Sequence, residues 1–586
     1  MSARNPGGKL RRSDVLVEVL LERRKLLKGG AALGLAAAGL HPTLGPALAQ
    51  DSSATPTTAT PTTGDGTLGY EIEPAQHEGG TIISASGSIL RNWSLATGGF
   101  QGVSESLVEI NPHTFQPEPL LATSWEASED SKVWTFYLRD GVKWHDGEPF
   151  TAEDVKFSIE LHANEENVAA TIVDTYSWAI WVDTIEVVDP LTVKMTLVSP
   201  IVDFALYTYV FTIMAKHVVE GIAPADLVNS PASTGSDPAA VVFTGPFKFK
   251  EYVPQEQMVL ERNDDYWGGK PHLDQWIIKE IPDTSAQVVQ LQAGDLDFST
   301  GVPPAAADRF SEEDFTVHRV STTSYSIYYY QLDPERSPFF QDQRVRQALL
   351  HAIDRDAMLQ AVYFGFGTVP VGLFTHESWA ANPDGIEHLY PYDPEKAKQL
   401  LDEAGWVDSD GDGIREKDGV KLQPNMVANS SNIWQKDTPA AIQAYWREVG
   451  VELIPEILAP DLYEARVTVD FDFDTALRSQ GSGVTVDRTF AFKCENPHGG
   501  GNRGFYCNER VDEIIDIVAE TPDRETRKEL LTEMQNIILE ELPVGPLVWK
   551  LSPAPVNKRV HNLFPNAVDV GGGGFGFNAE TWWIDE

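Results

Sequence analysis

The sequence predicts a fold of the mixed α/β or α+β class. Segments with strand alternation and segments with helical periodicity interleave along the chain without a fixed repeat. No period of 20–50 residues appears, which argues against a solenoid. The chain has 586 residues, too many for one core and enough for two or three domains. Hydrophobic residues make up 42% and charged residues 23%, the composition of a globular protein.

The first 49 residues read as an export signal. The basic stretch Arg23-Arg24-Lys25-Leu26-Leu27-Lys28 precedes a Gly/Ala/Leu run from Gly29 to Leu40. That run is too short and too weakly apolar for a stable span of about 20 residues. Ala47-Leu48-Ala49 supplies the small residues that signal peptidase needs, which places cleavage before Gln50. The segment resembles a twin-arginine signal, with Glu22 where Ser or Thr is usual; the alternative is a general secretory signal. No Cys lies near the cleavage site, which excludes a lipoprotein anchor. Residues 50–78 then form a linker, rich in Ser, Thr and Pro from Ser52 to Gly66, with too little apolar surface to offset its ordering entropy. Ordered structure is expected from Gly79.

Val133 to Leu138 alternates as a strand does. Thr151 reads as an N-cap with Asp154 three residues on, followed by Val155, Phe157, Ile159 and Leu161. Glu186 to Val188 and Thr192 to Leu197 flank Asp189-Pro190-Leu191 as a hairpin. Phe247 to Tyr252 and Met258 to Arg262 form a second hairpin. Asp342 to Tyr363 reads as one long amphipathic helix, Pro394 to Ala404 as a second that stops at Gly405. Arg510 to Glu520 and Asp523 to Glu541 are two more. Asp470, Asp472 and Asp474 alternate with Phe471 and Phe473 as on a half-buried strand with a solvated face.

Charge narrows the function. The formal net charge is −42, and without residues 1–49 it is −47, so the acidity belongs to the exported part. Phosphates would be repelled, which excludes a nucleic-acid binder working by bulk electrostatics. Two cysteines provide no zinc or iron–sulfur framework, and 13 histidines include no His-Glu-x-x-His pair. There is no Gly-x-Ser-x-Gly elbow and no phosphate-binding glycine loop. The glycine run from Gly571 to Gly574 reads as a surface loop, and His145-Asp146 as a structural turn. No catalytic residue, resident metal or cofactor is assigned. Asp408-Ser409-Asp410-Gly411-Asp412-Gly413 resembles the opening of a calcium loop, but its twelfth position is Gly419 where a bidentate Glu belongs. Either a calcium site or a plain acidic turn fits. Cys494 and Cys507 lie 13 apart in an exported chain, which makes a disulfide the default. The segment between them has four glycines and little core of its own.

Several ordered stretches together resemble the family 5 extracellular solute-binding proteins, the dipeptide- and oligopeptide-binding components of ABC importers. They are Pro119 to Glu126, Trp134 to Arg139, Gly141 to Gly147 and Phe150 to Val155. They continue with Thr244 to Phe249, Arg262 to Trp267, Leu291 to Asp297, Val345 to Leu349 with Ala352 to Arg355, and Ala397 to Trp406. The last is Tyr506-Cys507-Asn508 through Asp512, with Arg527 downstream. The resemblance covers nearly the whole mature chain. It implies a two-lobed periplasmic-binding-protein fold of α/β class, joined by two hinge strands. The first lobe spans about 79–321, with an extra subdomain near 110–240; the second spans 322–550, and 551–586 returns to the first.

The resemblance also implies the function: a non-enzymatic, monomeric receptor at the periplasm or the outer face of the membrane. It would pass a small solute to ABC permease subunits. Peptides lead as solute, with oligosaccharides second and nickel or a nickel chelate third. A secreted hydrolase is the reading from another class. Peptide binders of the family hold the ligand's ammonium with an Asp in an Asp-Pro-Asp stretch shortly before the first Cys. Here that region reads Gly483 to Phe490, and Asp487 is its acidic residue, beside Arg488. The Asn that commonly follows the hinge is missing from Tyr328 to Asp333. Aromatic walls are expected from Trp93, Tyr325, Trp379 and Trp434, with Trp178 and Trp181 as further candidates.

Overall fold

The computed structural model describes residues 72–87, 102–112, 114–164, 181–210, 212–376, 378–481, 485–494, 501–566 and 576–585. The export signal, most of the linker, Trp93, Trp178 and the glycine run 571–574 lie outside the described residues.

Chain order begins with β1 (Thr81–Ser86), then β2 (Val108–Ile110) and β3 (Pro117–Pro119), which pair with each other. Next come β4 (Ala122–Ala127), β5 (Val133–Leu138), β6 (Val182–Asp189) and β7 (Thr192–Leu197), a four-stranded antiparallel sheet. The hairpin turn at Pro190-Leu191 falls where the sequence places it. The helix Ala152–His162 starts at Thr151, whose N–H donates to the Asp154 carboxylate at 2.9 Å. This is half of a capping box, and it fixes the helix start.

The main sheet uses the strands on either side of that insert. These are β8 (Phe247–Val253), β9 (Gln257–Arg262), β10 (Gln275–Glu280), β11 (Phe298–Ser299), β12 (Phe315–Tyr330) and β13 (Gly367–Thr368). A small hairpin of β14 (Glu416–Lys417) and β15 (Val420–Lys421) stands apart. Then follow β16 (Asn425–Asn429), β17 (Ile454–Leu458), β18 (Thr475–Gly481) and β19 (Val544–Asn557). The sheet order is β17-β16-β18-β12-β19-β11-β1-β10-β9-β8, with β13 beside β19.

Two long strands belong to both halves of this sheet. Residues 315–321 of β12 pair with 551–557 of β19 in one half. In the other, residues 324–330 pair with β18 and 325–329 with 544–549 of β19. The register shifts between Ser321 and Tyr325, and Thr323 there has φ 47°. A bulge at that point bends the strand and separates the halves. The first half has its own core, with Ile82, Phe247, Trp276 and Phe298 packed against Trp582 of the C-terminal segment. Tyr328, Leu349, Trp446, Leu477 and Leu547 form the core of the second. A third cluster joins Trp134, Phe136 and Phe204 of the four-stranded insert to Tyr329, Ala476, Val511 and Ile538 of the second half. Each such large side chain contributes about 1.5–3 kcal/mol on burial.

Two expectations need correction. The segment 342–363 is two helices, Gln343–His351 and Arg355–Tyr363. Asp354 is the N-cap of the second and accepts from the Ala357 N–H at 2.8 Å, so the chain restarts a helix there. The run 470–474 is not a strand. Phe471 has φ 53°, and β18 begins only at Thr475. The burial alternation itself holds: Phe471 and Phe473 are buried, and Asp470 and Asp472 are exposed. Asp474 is half-buried and accepts from the Asn425 N–H at 3.0 Å.

Cys494 and Cys507 are disulfide-bonded, with Cα atoms 4.5 Å apart. The Asn502 side chain braces the same loop, donating to the carbonyls of Lys493 and Tyr506. Closing a loop of this length contributes about 3 kcal/mol in the chain-entropy picture. Thiol labelling of the denatured, unreduced protein is expected to find no free Cys. Two reactive thiols in protein exported by its own host would contradict the bond.

Candidate functional site

Strand direction locates the site. β1 is parallel to β10 and β11, and β11 is antiparallel to β19. The carboxyl ends of β1, β10 and β11 therefore point toward the crossover at 321–325. In the other half, β18 runs antiparallel to β12, and β16 is parallel to both β17 and β18. Their carboxyl ends point back at the same crossover. Ligands of open α/β sheets bind outside the carboxyl ends of the strands. Here two such edges face each other, with Ser86, Glu280 and Ser299 on one and Asn429, Leu458 and Gly481 on the other. Trp93 follows the end of β1 in sequence but lies outside the described residues.

The second edge carries most of the predicted residues. Tyr325 is fully buried at the start of the second-half segment of β12, its ring 4.3 Å from that of Trp549. Burial raises its pKa. Asp487 is buried and its Oδ1 accepts from the Thr489 N–H at 2.7 Å. Beside it, Arg488 donates to the carbonyls of Thr485 at 3.0 Å, Asp487 at 2.9 Å and Leu373 at 3.3 Å. The guanidinium also lies 4.1 Å from the centre of the Phe374 ring. Burial pulls the Arg488 pKa down to about 10, against the opposing pull of Tyr325 and Asp487. Arg488 thus ties segment 485–488 to segment 373–374. The hydroxyls of Thr375 and Thr485 on these segments are buried with no hydrogen-bond partner among the described residues.

Successive strand residues face opposite sides, so Ser326 and Lys550 look away from Tyr325 and Trp549. On that side Trp434 stacks on Tyr363, ring centres 6.1 Å apart, and Tyr363 donates to Ser326 Oγ at 2.8 Å. Lys550 Nζ lies 5.3 Å from the Trp434 ring centre. Trp379 makes a different contact. Its ring lies 5.1 Å from the Arg524 guanidinium and 5.0 Å from that of Arg527. Trp181 is buried in the insert, 4.6 Å from Tyr207.

Sequence reading missed two buried cations in this half. Arg478 and Arg503 are both buried. Arg478 donates to the Glu464 carboxylate at 3.3 Å, and Arg503 to Thr468 Oγ1 at 3.5 Å. Burial, with Arg478 nearby, lowers the Arg503 pKa to about 10. The one signal available was Lys550 closing the apolar run Leu547-Val548-Trp549.

The acidic turn at 408–413 brings Asp408 and Asp410 together with Glu416. Lys421 already makes ion pairs with Asp410 at 3.1 Å and with Asp412. His145 bridges Gly245 O at 3.0 Å and the Phe243 N–H at 3.3 Å. Burial lowers its pKa to about 4, so it stays neutral and holds the turn.

Among the described residues no helix is long and apolar enough to cross a membrane. The family described as bacterial extracellular solute-binding proteins, family 5, matches residues 116–499. The chain is 29% identical over 472 residues to the oligopeptide-binding protein AppA of Bacillus subtilis, covering 79% of this chain and 83% of that one. It is 28% identical over 472 residues to the dipeptide-binding protein of Escherichia coli, covering 78% and 85%. The solved structure of Bacillus subtilis AppA with a nonapeptide superposes with a TM-score of 0.69 at 24% identity, over 87% of this chain and all of that one. The chain belongs to the bacterial extracellular solute-binding proteins of family 5.

Proposed function

We propose that this protein is an extracytoplasmic receptor that captures a peptide between its two lobes and delivers it to an ABC importer. It has no chemistry of its own to perform; binding and closure are the function. The observation that carries this reading is the pair of carboxyl strand edges facing one another across the β12–β19 crossover. A cleft of that kind buries most of a small ligand once the lobes shut. Peptide is favoured over sugar because buried groups of both signs, the Asp487 carboxylate and the Arg478 and Arg503 guanidinium groups, lie in this half of the sheet. A zwitterion matches both signs. The peptide-binding relatives support the same solute class.

In this reading Asp487 receives the ammonium group, and Tyr325, Trp434 and Trp93 supply the walls. Residues 1–49 direct export through the twin-arginine route, and the 50–78 segment tethers the receptor beyond it. Native mass spectrometry of protein purified from its own host tests the solute class. A bound mass resolving into amino-acid residues is expected. A hexose series or a nickel chelate in its place would overturn the peptide reading.

A further inference from the structure

Among the described residues, Lys550 is a cation without a counter-charge. It lies on β19 where that strand passes from one half of the sheet to the other: Trp549 pairs with Tyr325, and Leu551 with Ser321. Gly367 of β13 stands opposite. A Cβ at Gly367 would come within 2.4 Å of the Val548 side chain and 2.6 Å of the Trp549 carbonyl. Only glycine lets β13 close against the strand at this point.

The ammonium group donates to Ser479 Oγ at 2.5 Å, two residues before the carboxyl end of β18. It also sits over Trp434, in the first turn of the helix Ile433–Glu448. Both neighbours belong to the edge that faces the other lobe. The side chain is half-buried, so part of it remains open. No carboxylate among the described residues lies within ion-pair distance. Its surroundings lower the pKa to about 8, and burial is the cause. Lys493, which is more deeply buried, is paired with Asp516.

An enclosed ammonium beside a hydroxyl and an indole is held at a cost that an arriving anion removes. Ser479 accepts from the ammonium, which leaves its own O–H free to donate to an acceptor at the same spot. The helix that begins at Ile433 adds to the effect. The side chain of its N-cap, Asn432, makes no capping bond, and helix N-termini favour negative charge.

We propose that Lys550 and Ser479 together form a seat for a carboxylate of the bound solute, with the Trp434 ring as its wall. The proposal rests on the peptide reading of the cleft and narrows it. A peptide offers that group from its C-terminus or from an acidic side chain, and the chemistry of the seat is the same for both.

Calorimetry on the full mature chain separates the cases. The variants are Lys550→Met and Lys550→Arg. The probes are an alanine-rich pentapeptide without acidic residues, its C-terminal amide, the same amide with one Glu, and benzoate. Wild type is expected to bind at least one carboxylate-bearing peptide tenfold or more tighter than the plain amide. The free acid gaining points to the C-terminus, and the Glu amide to a side chain. Lys550→Met should reduce that preference to within twofold, and Lys550→Arg should retain most of it. Equal binding of all three peptides to wild type, or a preference undiminished in Lys550→Met, would overturn the seat and leave the peptide reading standing. Benzoate binding that needs Lys550, with no peptide bound, would keep the seat and overturn the peptide reading. Silence toward every carboxylate would overturn both. Ligand-free Lys550→Met is expected to melt at or above wild type, since an uncompensated cation is removed. A fall of several degrees would mean that the fold itself neutralises Lys550, and would contradict the proposal.

Discussion

Replacing Arg527 with Met is expected to weaken ligand binding by about two orders of magnitude or more, through a residue on the surface between the lobes. Arg527 and Asp203 are 324 positions apart and form a bidentate pair. Arg527 Nη1 donates to Asp203 Oδ1 at 3.1 Å, Nη2 contacts Oδ2, and both side chains are 1% exposed. Arg527 lies on the helix Arg524–Glu541 of the second half. Asp203 precedes the short helix Phe204–Tyr207 of the insert. Close by, the Val202 N–H donates to Ala519 O at 3.4 Å. These contacts tie the insert to the second lobe and can persist only while the two are together. Removing one partner of a buried pair costs about 3–5 kcal/mol, because the other charge stays buried without its counter-ion. At about 1.4 kcal/mol per tenfold, a loss of that size confined to the ligand-bound state amounts to two orders of magnitude or more in affinity. Melting curves distinguish this from a general loss of stability. The ligand-bound protein should lose more than the ligand-free protein, and Asp203→Leu combined with Arg527→Met should recover much of the loss. Equal losses with and without ligand would make the pair part of the static fold.

Asp487→Ala is expected to reduce the affinity for free-amine peptides by two or more orders of magnitude, again about 3–5 kcal/mol for a screened charge pair. N-acetylated forms of the same peptides should change much less. The Asp487 carboxylate is buried, and one of its oxygens accepts from the Thr489 N–H. Part of any loss would therefore come from the loop, and the acetylated peptide measures that part. Equal small losses for both forms would remove Asp487 from the site. The bonds of Arg488 to the Thr485, Asp487 and Leu373 carbonyls hold the surrounding segment in place, so Arg488→Met should weaken both forms alike.

What the sequence made legible was local. Thr151 with Asp154, the turn at Pro190-Leu191 and the glycine stop at Gly405 each carry their signal within a few residues. The helix break at Asp354 was hidden, because an N-cap Asp within an amphipathic pattern looks like one more surface acid. Phe471 shows the same limit. Its burial alternates as on a strand, while its backbone is left-handed. The site was legible only in part. Asp487 could be named from its position in the family pattern, and Tyr325 only as one of several candidate aromatic walls. That Arg488 connects Asp487 to Phe374 required the fold. Neither the Arg527–Asp203 pair nor the isolation of Lys550 has a sequence signature. One depends on a contact between distant segments, the other on what is not nearby.

Hydrogen–deuterium exchange of the mature protein, with and without a tryptic casein digest as the peptide source, tests the cleft most directly. Slowed exchange on peptide addition is expected at 427–434, 479–489 and 549–551 on one edge and at 299–302 on the other. Slowing should also reach 201–205 and 519–527, where the insert meets the second lobe. No slowing at these edges, or slowing confined to the 408–421 turn, would contradict a peptide cleft at the β12–β19 crossover.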